Sequence, residues 1–101
     1  MTPKGRRILF LEKELDRMED YNNLKQAEML IELGNLYSRS GRFFNLSEAA
    51  YNYWIAANIY KKFLKKDKAD KYFFKACRLF IKCGAKWSLA DIRRDRKLGL
   101  L

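Results

Sequence analysis

The chain has 101 residues, 49% of them apolar, and its 22 basic and 12 acidic residues give a net charge of +10. This length and apolar fraction suit one globular domain and argue against a disordered chain. The sequence contains no histidine, the residue that most often serves as a general base or metal ligand. Its five glycines are isolated rather than grouped into a phosphate-binding loop. We therefore expect a protein that is not an enzyme and that holds no cofactor or metal.

Two cysteines, Cys77 and Cys83, lie six positions apart in one predicted helix. At about 100° per residue their side chains point to different faces, so they cannot form a disulfide there. We expect two reduced and buried thiols, which is typical of cytoplasmic proteins. No apolar run approaches the roughly 20 residues of a membrane span, and the apolar residues 8–11 are too few for a signal peptide. A cytoplasmic location without a membrane partner is predicted.

Apolar periodicity predicts about five helices and no strand. The first covers residues 6–20, where apolar side chains recur at steps of three and four. A turn at residues 21–23 follows, and Asn22 or Asn23 is the predicted cap of a second helix at residues 24–40. The core-facing residues of these two helices are Ile8, Leu11, Leu15, Met18, Leu24, Ala27, Leu30, Leu33, Gly34 and Tyr37.

The third helix is predicted at residues 47–66, after a short loop. Asn45 and Glu48 form a capping-box pattern at its start, and Ser47 is a rival cap. The face of this helix that carries alanines, aromatic residues and a leucine is predicted to pack against the core. Its members are Ala50, Tyr53, Trp54, Ala57, Tyr60 and Leu64.

Asp67 is the predicted cap of the fourth helix, residues 68–83, and the fifth helix covers residues 86–98. The short loops between all five helices predict that neighbours pack antiparallel. The inward residues of the last two helices are Ala69, Phe73, Ala76, Cys77, Phe80, Trp87, Ala90 and Leu98.

A helical repeat is visible in the spacing of Tyr53, Ala56, Ala57, Tyr60, Ala69, Phe73 and Ala76. Trp87 follows Tyr53 by 34 residues, and Ala90 follows Ala56 by the same interval. This period and this pattern of small and aromatic residues resemble the tetratricopeptide-repeat (TPR) family. A second, partial match begins at Leu30, only 23 residues before Tyr53, and consists of Leu30, Leu33, Gly34 and Tyr37.

The resemblance implies an all-α fold in one domain, residues 1–101, built as a fragment of a right-handed superhelix of antiparallel hairpins. Its parts are an N-terminal helix, an irregular first repeat, a complete repeat whose first helix is shared with the preceding one, and a C-terminal capping helix. The corresponding ranges are 6–20, 24–52, 53–84 and 86–98. A plain five-helix bundle is the alternative, because any packed helix carries small and aromatic residues.

TPR proteins bind peptides in a concave groove, so the resemblance implies a protein-interaction module. Asn35 and Asn58 each precede a signature tyrosine by two residues. In the family, residues at that position often bond the backbone or terminal carboxylate of an extended peptide. The lysine that commonly stands four residues before such an asparagine is replaced here by Ile31 and Trp54. The alternative for both asparagines is a polar position that only faces solvent.

The positive charge lies in the second half of the chain. Residues 1–50 carry eight basic and eight acidic residues, whereas residues 51–101 carry fourteen and four. This asymmetry predicts a docking surface for an acidic protein or peptide. The alternatives are a nucleic-acid backbone as ligand, a basic face that only confers solubility, and a homodimer that covers the ends of a short repeat. The predicted contact residues are Asn35, Asn58, Lys61, Lys62, Lys65, Lys66, Arg93 and Arg94.

Overall fold

The computed structural model describes residues 2–18, 23–39 and 45–83, and every regular element in these ranges is an α-helix. The predicted all-α class is confirmed. The predicted fifth helix at residues 86–98, with its arginines Arg93 and Arg94, lies outside the described residues. The four described helices are α1 (Pro3–Arg17), α2 (Leu24–Ser38), α3 (Leu46–Lys62) and α4 (Lys66–Cys83).

The first helix begins three residues earlier than predicted because two local features favour a start at Pro3. The Thr2 hydroxyl accepts a hydrogen bond from the Gly5 amide at 3.1 Å. Proline fits the first helical position, where its missing N–H leaves nothing unsatisfied. The helix also ends earlier than predicted, since Met18 already has an extended backbone.

Asparagine caps start the next two helices. Asn23 accepts a hydrogen bond from the Gln26 amide at 2.9 Å, and the Gln26 side chain accepts one from the Asn23 amide at 3.0 Å. This reciprocal pair is a capping box. Asn45 accepts a hydrogen bond from the Glu48 amide at 3.1 Å, so Asn45 rather than Ser47 caps α3.

The predicted extension of α3 to residue 66 is wrong. The helix ends at Lys62, and Leu64 has a left-handed backbone with φ 58°. The Lys65 amide donates to the Tyr60 carbonyl at 2.9 Å and the Leu64 amide to the Lys61 carbonyl at 3.1 Å. These two bonds are those of a Schellman motif, which usually has glycine where Leu64 stands.

Because of this turn, α4 begins two residues earlier than predicted. Its first residue is Lys66, and the Lys65 carbonyl accepts a hydrogen bond from the Ala69 amide at 2.9 Å. Asp67, the predicted cap, therefore lies inside the first turn of the helix. A carboxylate there still interacts favourably with the positive end of the helix dipole.

The third helix is the centre of the fold. Eleven of its 17 residues are buried, because it packs against α2 on one side and α4 on the other. Among the described helices, α1 makes its backbone approach to α2. Most of the core forms one cluster that extends from α1 to the first turn of α4. Its buried members are Ile8, Leu11, Leu15, Ala27, Leu30, Leu33, Tyr51, Ile55, Ala56, Ile59, Tyr60 and Ala69.

Side-chain contacts show the relative directions of the helices. Lys68 lies over the ring of Tyr60 and Lys75 over that of Tyr53, so α4 runs antiparallel to α3. The first pair differs, because Arg7 bonds Glu32 while the hydroxyl of Tyr37 donates to Glu12. Between these two contacts the residue numbers increase along both helices. In this region α1 and α2 therefore run in the same general direction, and the antiparallel packing predicted for this pair is wrong.

Small residues let the helices approach closely. A Cβ on Gly34 of α2 would lie 2.7 Å from the Tyr53 ring of α3. Six of the seven repeat-signature residues are buried, namely Tyr53, Ala56, Ala57, Tyr60, Ala69 and Ala76.

Three residues predicted to face inward are instead exposed. Phe73, the seventh signature residue, is 40% exposed and Leu64 is 89% exposed. Cys77 is a free, exposed cysteine rather than a buried one, because the face of α4 that packs on α3 carries Ala69, Tyr72 and Ala76. The prediction for Cys83 concerns a side chain outside the described ones.

Candidate anion-binding site on α4

The fourth helix carries a row of cations. Five basic residues recur along it in alternating steps of three and four, which places them on one helix face. All five are exposed. We call this row the cationic stripe; its members are Lys68, Lys71, Lys75, Arg78 and Lys82.

Tyrosine rings beneath the stripe position its lysines. The ring of Tyr72 stacks with that of Tyr53 at 5.9 Å between centroids and with that of Tyr60 at 6.1 Å. The Lys75 ammonium lies 4.9 Å from the Tyr53 centroid and 5.9 Å from that of Tyr72. The Lys68 ammonium lies 5.5 Å from the centroid of Tyr60. Cation–π contacts of this kind restrain the ammonium groups at the surface.

The C-terminal half of the stripe borders a pocket of about 310 Å³. Its described lining residues include three cations and no carboxylate. Within the described ranges, Arg78 and Lys82 make no ion pair. Their charges are therefore available to an anionic ligand. The lining residues are Ser38, Tyr53, Lys75, Arg78, Leu79 and Lys82.

Hydrogen bonds at the end of α2 fix the inner wall of this pocket. The Tyr53 hydroxyl donates to the side-chain oxygen of Asn35 at 2.5 Å, and the Ser38 hydroxyl donates to the Asn35 carbonyl at 3.0 Å. Burial raises the pKa of Tyr53, as it does that of Tyr60. The Tyr53 hydroxyl is therefore neutral at physiological pH and adds no negative charge to the pocket.

A purely structural role also accounts for part of the positive charge. The C-terminal end of α2, at Ser38, faces the same pocket, and unpaired carbonyls give a helix C-terminus a partial negative charge. Arg78 and Lys82 offset that charge. One helix end carries only about half an elementary charge, so a third cation at Lys75 leaves most of the positive charge unopposed.

The two asparagines predicted to bind a peptide occupy different environments. Asn35 accepts the hydrogen bond from Tyr53, one of the residues that line the pocket. Asn58 is 8% exposed, and its amide donates to the Trp54 carbonyl of its own helix at 2.9 Å. The structure therefore does not present both side chains to one open groove.

The lysines predicted as contact residues do not line this pocket and lie at the other end of α4. Lys61 and Lys62 end α3, Lys65 and Lys66 follow the turn, and all four are exposed. Sequence reasoning missed Arg78 and Lys82 as site residues. The alternating three- and four-residue spacing from Lys68 onwards is the signal that could have found them.

A second concave surface has the opposite charge. A groove of about 360 Å³ lies between α1, α2 and α3, with leucine and isoleucine side chains inside and carboxylates around it. It holds no lysine or arginine among its described lining residues, so an acidic ligand would be repelled there. The groove residues are Glu12, Leu15, Asp16, Leu30, Leu33, Tyr37, Asn45, Glu48, Asn52 and Ile55.

The described part of the chain shows neither a cluster of potential metal ligands nor a helix with the length and apolar character to cross a bilayer. The chain matches no protein-family model, and no curated protein or solved structure shows significant similarity to it.

Proposed function

We propose that this chain is a protein-interaction module that binds an acidic segment of a partner along the cationic stripe of α4. The observation that carries this proposal is the pocket lined by Lys75, Arg78 and Lys82, with no carboxylate among the lining residues that the structure describes. A carboxylate of the partner would supply the counter-charge that the described residues lack.

The chemistry of the pocket suits a carboxylate-bearing peptide. The guanidinium of Arg78 can bind a carboxylate through two parallel hydrogen bonds, which lysine cannot do. Leu79 adds apolar surface beside the cations. The ligand we infer is a segment in which acidic side chains alternate with apolar ones.

The length of the stripe sets the length of that segment. Lys68 and Lys82 are 14 residues apart, which corresponds to about 21 Å of helix at roughly 1.5 Å per residue. An extended peptide covers this distance with about six or seven residues. A shorter acidic segment would meet only part of the stripe and bind less tightly.

We further propose that α2, α3 and α4 pack as TPR-like hairpins. The close approach of Gly34 to Tyr53 and the burial of Ala57, Ala69 and Ala76 support this proposal. In this arrangement α3 serves as the second helix of one hairpin and the first of the next. The absence of enzymatic activity and a cytoplasmic location stay predictions from composition.

The test is the binding of a fluorescent seven-residue acidic peptide, measured by anisotropy. We expect Arg78→Glu to weaken binding by about tenfold to a hundredfold, since a charge-assisted hydrogen bond contributes about 1.5–3 kcal/mol. Lys25→Glu on α2 is the matched control, because it makes the same charge reversal at an exposed site outside the pocket.

Three outcomes distinguish the hypotheses. A large loss of peptide affinity for Arg78→Glu with little change for Lys25→Glu supports the pocket as the binding site. Equal losses of affinity for both variants would show that only net charge matters and would refute binding in the pocket. Tighter binding of single-stranded RNA or duplex DNA than of the peptide, with strong salt dependence, would favour the nucleic-acid alternative.

A further inference from the structure

The turn between α3 and α4 exposes a leucine that the fold does not need. Leu64 has φ 58° and is 89% exposed. Glycine or asparagine adopts this left-handed backbone with less strain than leucine does. The side chain gains no burial in return, so neither the backbone nor the core explains why leucine stands here.

More apolar surface adjoins this residue. Phe63 precedes it in the turn and is 41% exposed, and Phe73 on α4 is 40% exposed. A shallow groove of about 540 Å³ connects the turn to α4, and Leu64, Ala69 and Phe73 supply its apolar lining. The apolar surface therefore continues from the tip of the turn on to α4.

Lysines surround this apolar tip. Five of the eight residues from 61 to 68 are lysines, and Asp67 is the single acidic residue among them. All five lysines are exposed. We call them the lysine collar; its members are Lys61, Lys62, Lys65, Lys66 and Lys68.

We propose that the α3–α4 turn binds the surface of an anionic phospholipid bilayer. Leu64 and Phe63 enter the boundary between headgroups and acyl chains, and the lysine collar contacts the anionic headgroups. The charge complementarity favours this occupant, and a fluid bilayer accepts a protruding apolar tip without a preformed pocket. The proposal departs from the composition-based expectation of no membrane partner, and it does not rest on the peptide pocket.

The experiment is co-sedimentation of the full chain with phosphatidylcholine vesicles, with and without phosphatidylserine. We expect binding only when phosphatidylserine is present, and weaker binding as salt rises. Lys62→Gln should lower the partition coefficient about fivefold, the factor equivalent to about 1 kcal/mol per lysine at an anionic surface. Lys13→Gln on α1 is the matched control and should change it little.

The decisive variant is Leu64→Asn. Asparagine tolerates the left-handed backbone, so this variant should unfold at a higher temperature than the parent chain. It should nevertheless partition at least about tenfold less, because it loses an inserted leucine side chain. A higher melting temperature with weaker vesicle binding separates a membrane role from a structural one.

Other results would overturn the proposal. Unchanged vesicle binding of Leu64→Asn would show that the tip does not insert. Absence of binding to phosphatidylserine vesicles would exclude the anionic surface as the ligand. If Leu64→Asn instead weakened only the binding of the acidic peptide, the turn would belong to a protein interface.

Discussion

The close contact between α2 and α3 makes Gly34→Ala the most informative stability variant. An added Cβ would lie 2.7, 2.9 and 2.9 Å from three atoms of the Tyr53 ring, which is closer than carbon atoms pack. The ring cannot easily move away, because Tyr53 is fully buried, its hydroxyl bonds Asn35, and its ring stacks on Tyr72. The two helices must therefore separate to accommodate the methyl group.

Two opposing effects set the magnitude. Overpacking of a filled core costs about 1–3 kcal/mol, while alanine is better than glycine in a helix by about 1 kcal/mol. We expect a net loss of up to about 2 kcal/mol, which lowers the melting temperature of a domain this size by roughly 10 °C.

Thermal and urea unfolding followed by circular dichroism would measure this loss. The double variant Gly34→Ala, Tyr53→Leu provides the control, because a smaller side chain makes room for the methyl group. The loss from Gly34→Ala should largely disappear in the Tyr53→Leu background. A melting temperature of Gly34→Ala above that of the parent chain would refute the close approach of α2 and α3.

Three further predictions concern a cap, an ion pair and a buried tyrosine. Asn23→Ala should lower the free energy of unfolding by about 1 kcal/mol in urea, because it removes the cap of α2; no change would mean that the capping box is unimportant. The hydrogen bond from Arg7 lowers the pKa of Glu32, so this carboxylate stabilises the native state above its unfolded pKa of about 4.3 and loses that effect as pH falls. Glu32→Gln should therefore have a lower melting temperature than the parent chain at pH 7 and the same melting temperature at about pH 3. An equal difference at both pH values would contradict the ion pair. Burial raises the pKa of Tyr53, so the contribution of the neutral hydroxyl to native-state stability is complete below about pH 10 and is lost as pH rises further. Tyr53→Phe should therefore lose less of its free energy of unfolding at alkaline pH than the parent chain does. An identical loss in both proteins would exclude this tyrosine as a cause.

Local sequence signals predict the helices well where a side chain satisfies the first backbone amides. The sequence predicts Asn22 or Asn23 as the cap of α2 and Asn45, with Ser47 as a rival, as the cap of α3. Asn23 and Asn45 make the capping bonds. Apolar periodicity likewise finds the core of α1 and α2, since Leu11, Leu30 and Leu33 are buried. In these segments the local pattern and the tertiary packing agree.

The end of α3 was not predictable in this way. Leu64 is an ordinary helix-forming residue, and no glycine or proline indicates a stop at this point. The left-handed backbone there follows from the packing of α4 on α3, which the sequence pattern does not show. Cys77 illustrates the same limit, because a shift in the start and rotation of α4 decides which of its residues face α3.

The candidate site was predictable in its charge but not in its position. The excess of lysine and arginine after residue 50 is plain in the sequence. Whether Lys75, Arg78 and Lys82 meet a neighbouring helix depends on the end of α2, which brings Ser38 to the same pocket. Proximity of this kind depends on tertiary structure and has no local signature.

The central position of α3 has a consequence for the folding of the chain as it leaves the ribosome. Eleven of the 17 residues of α3 are buried, and α4 supplies one of the two surfaces that bury them. A nascent chain that has emerged only to Lys62 exposes the side of Tyr53 and Ala49 that Ala76 later covers. Such a chain resembles an aggregation-prone folding intermediate, so we expect α3 to acquire its native packing only after α4 has been synthesised.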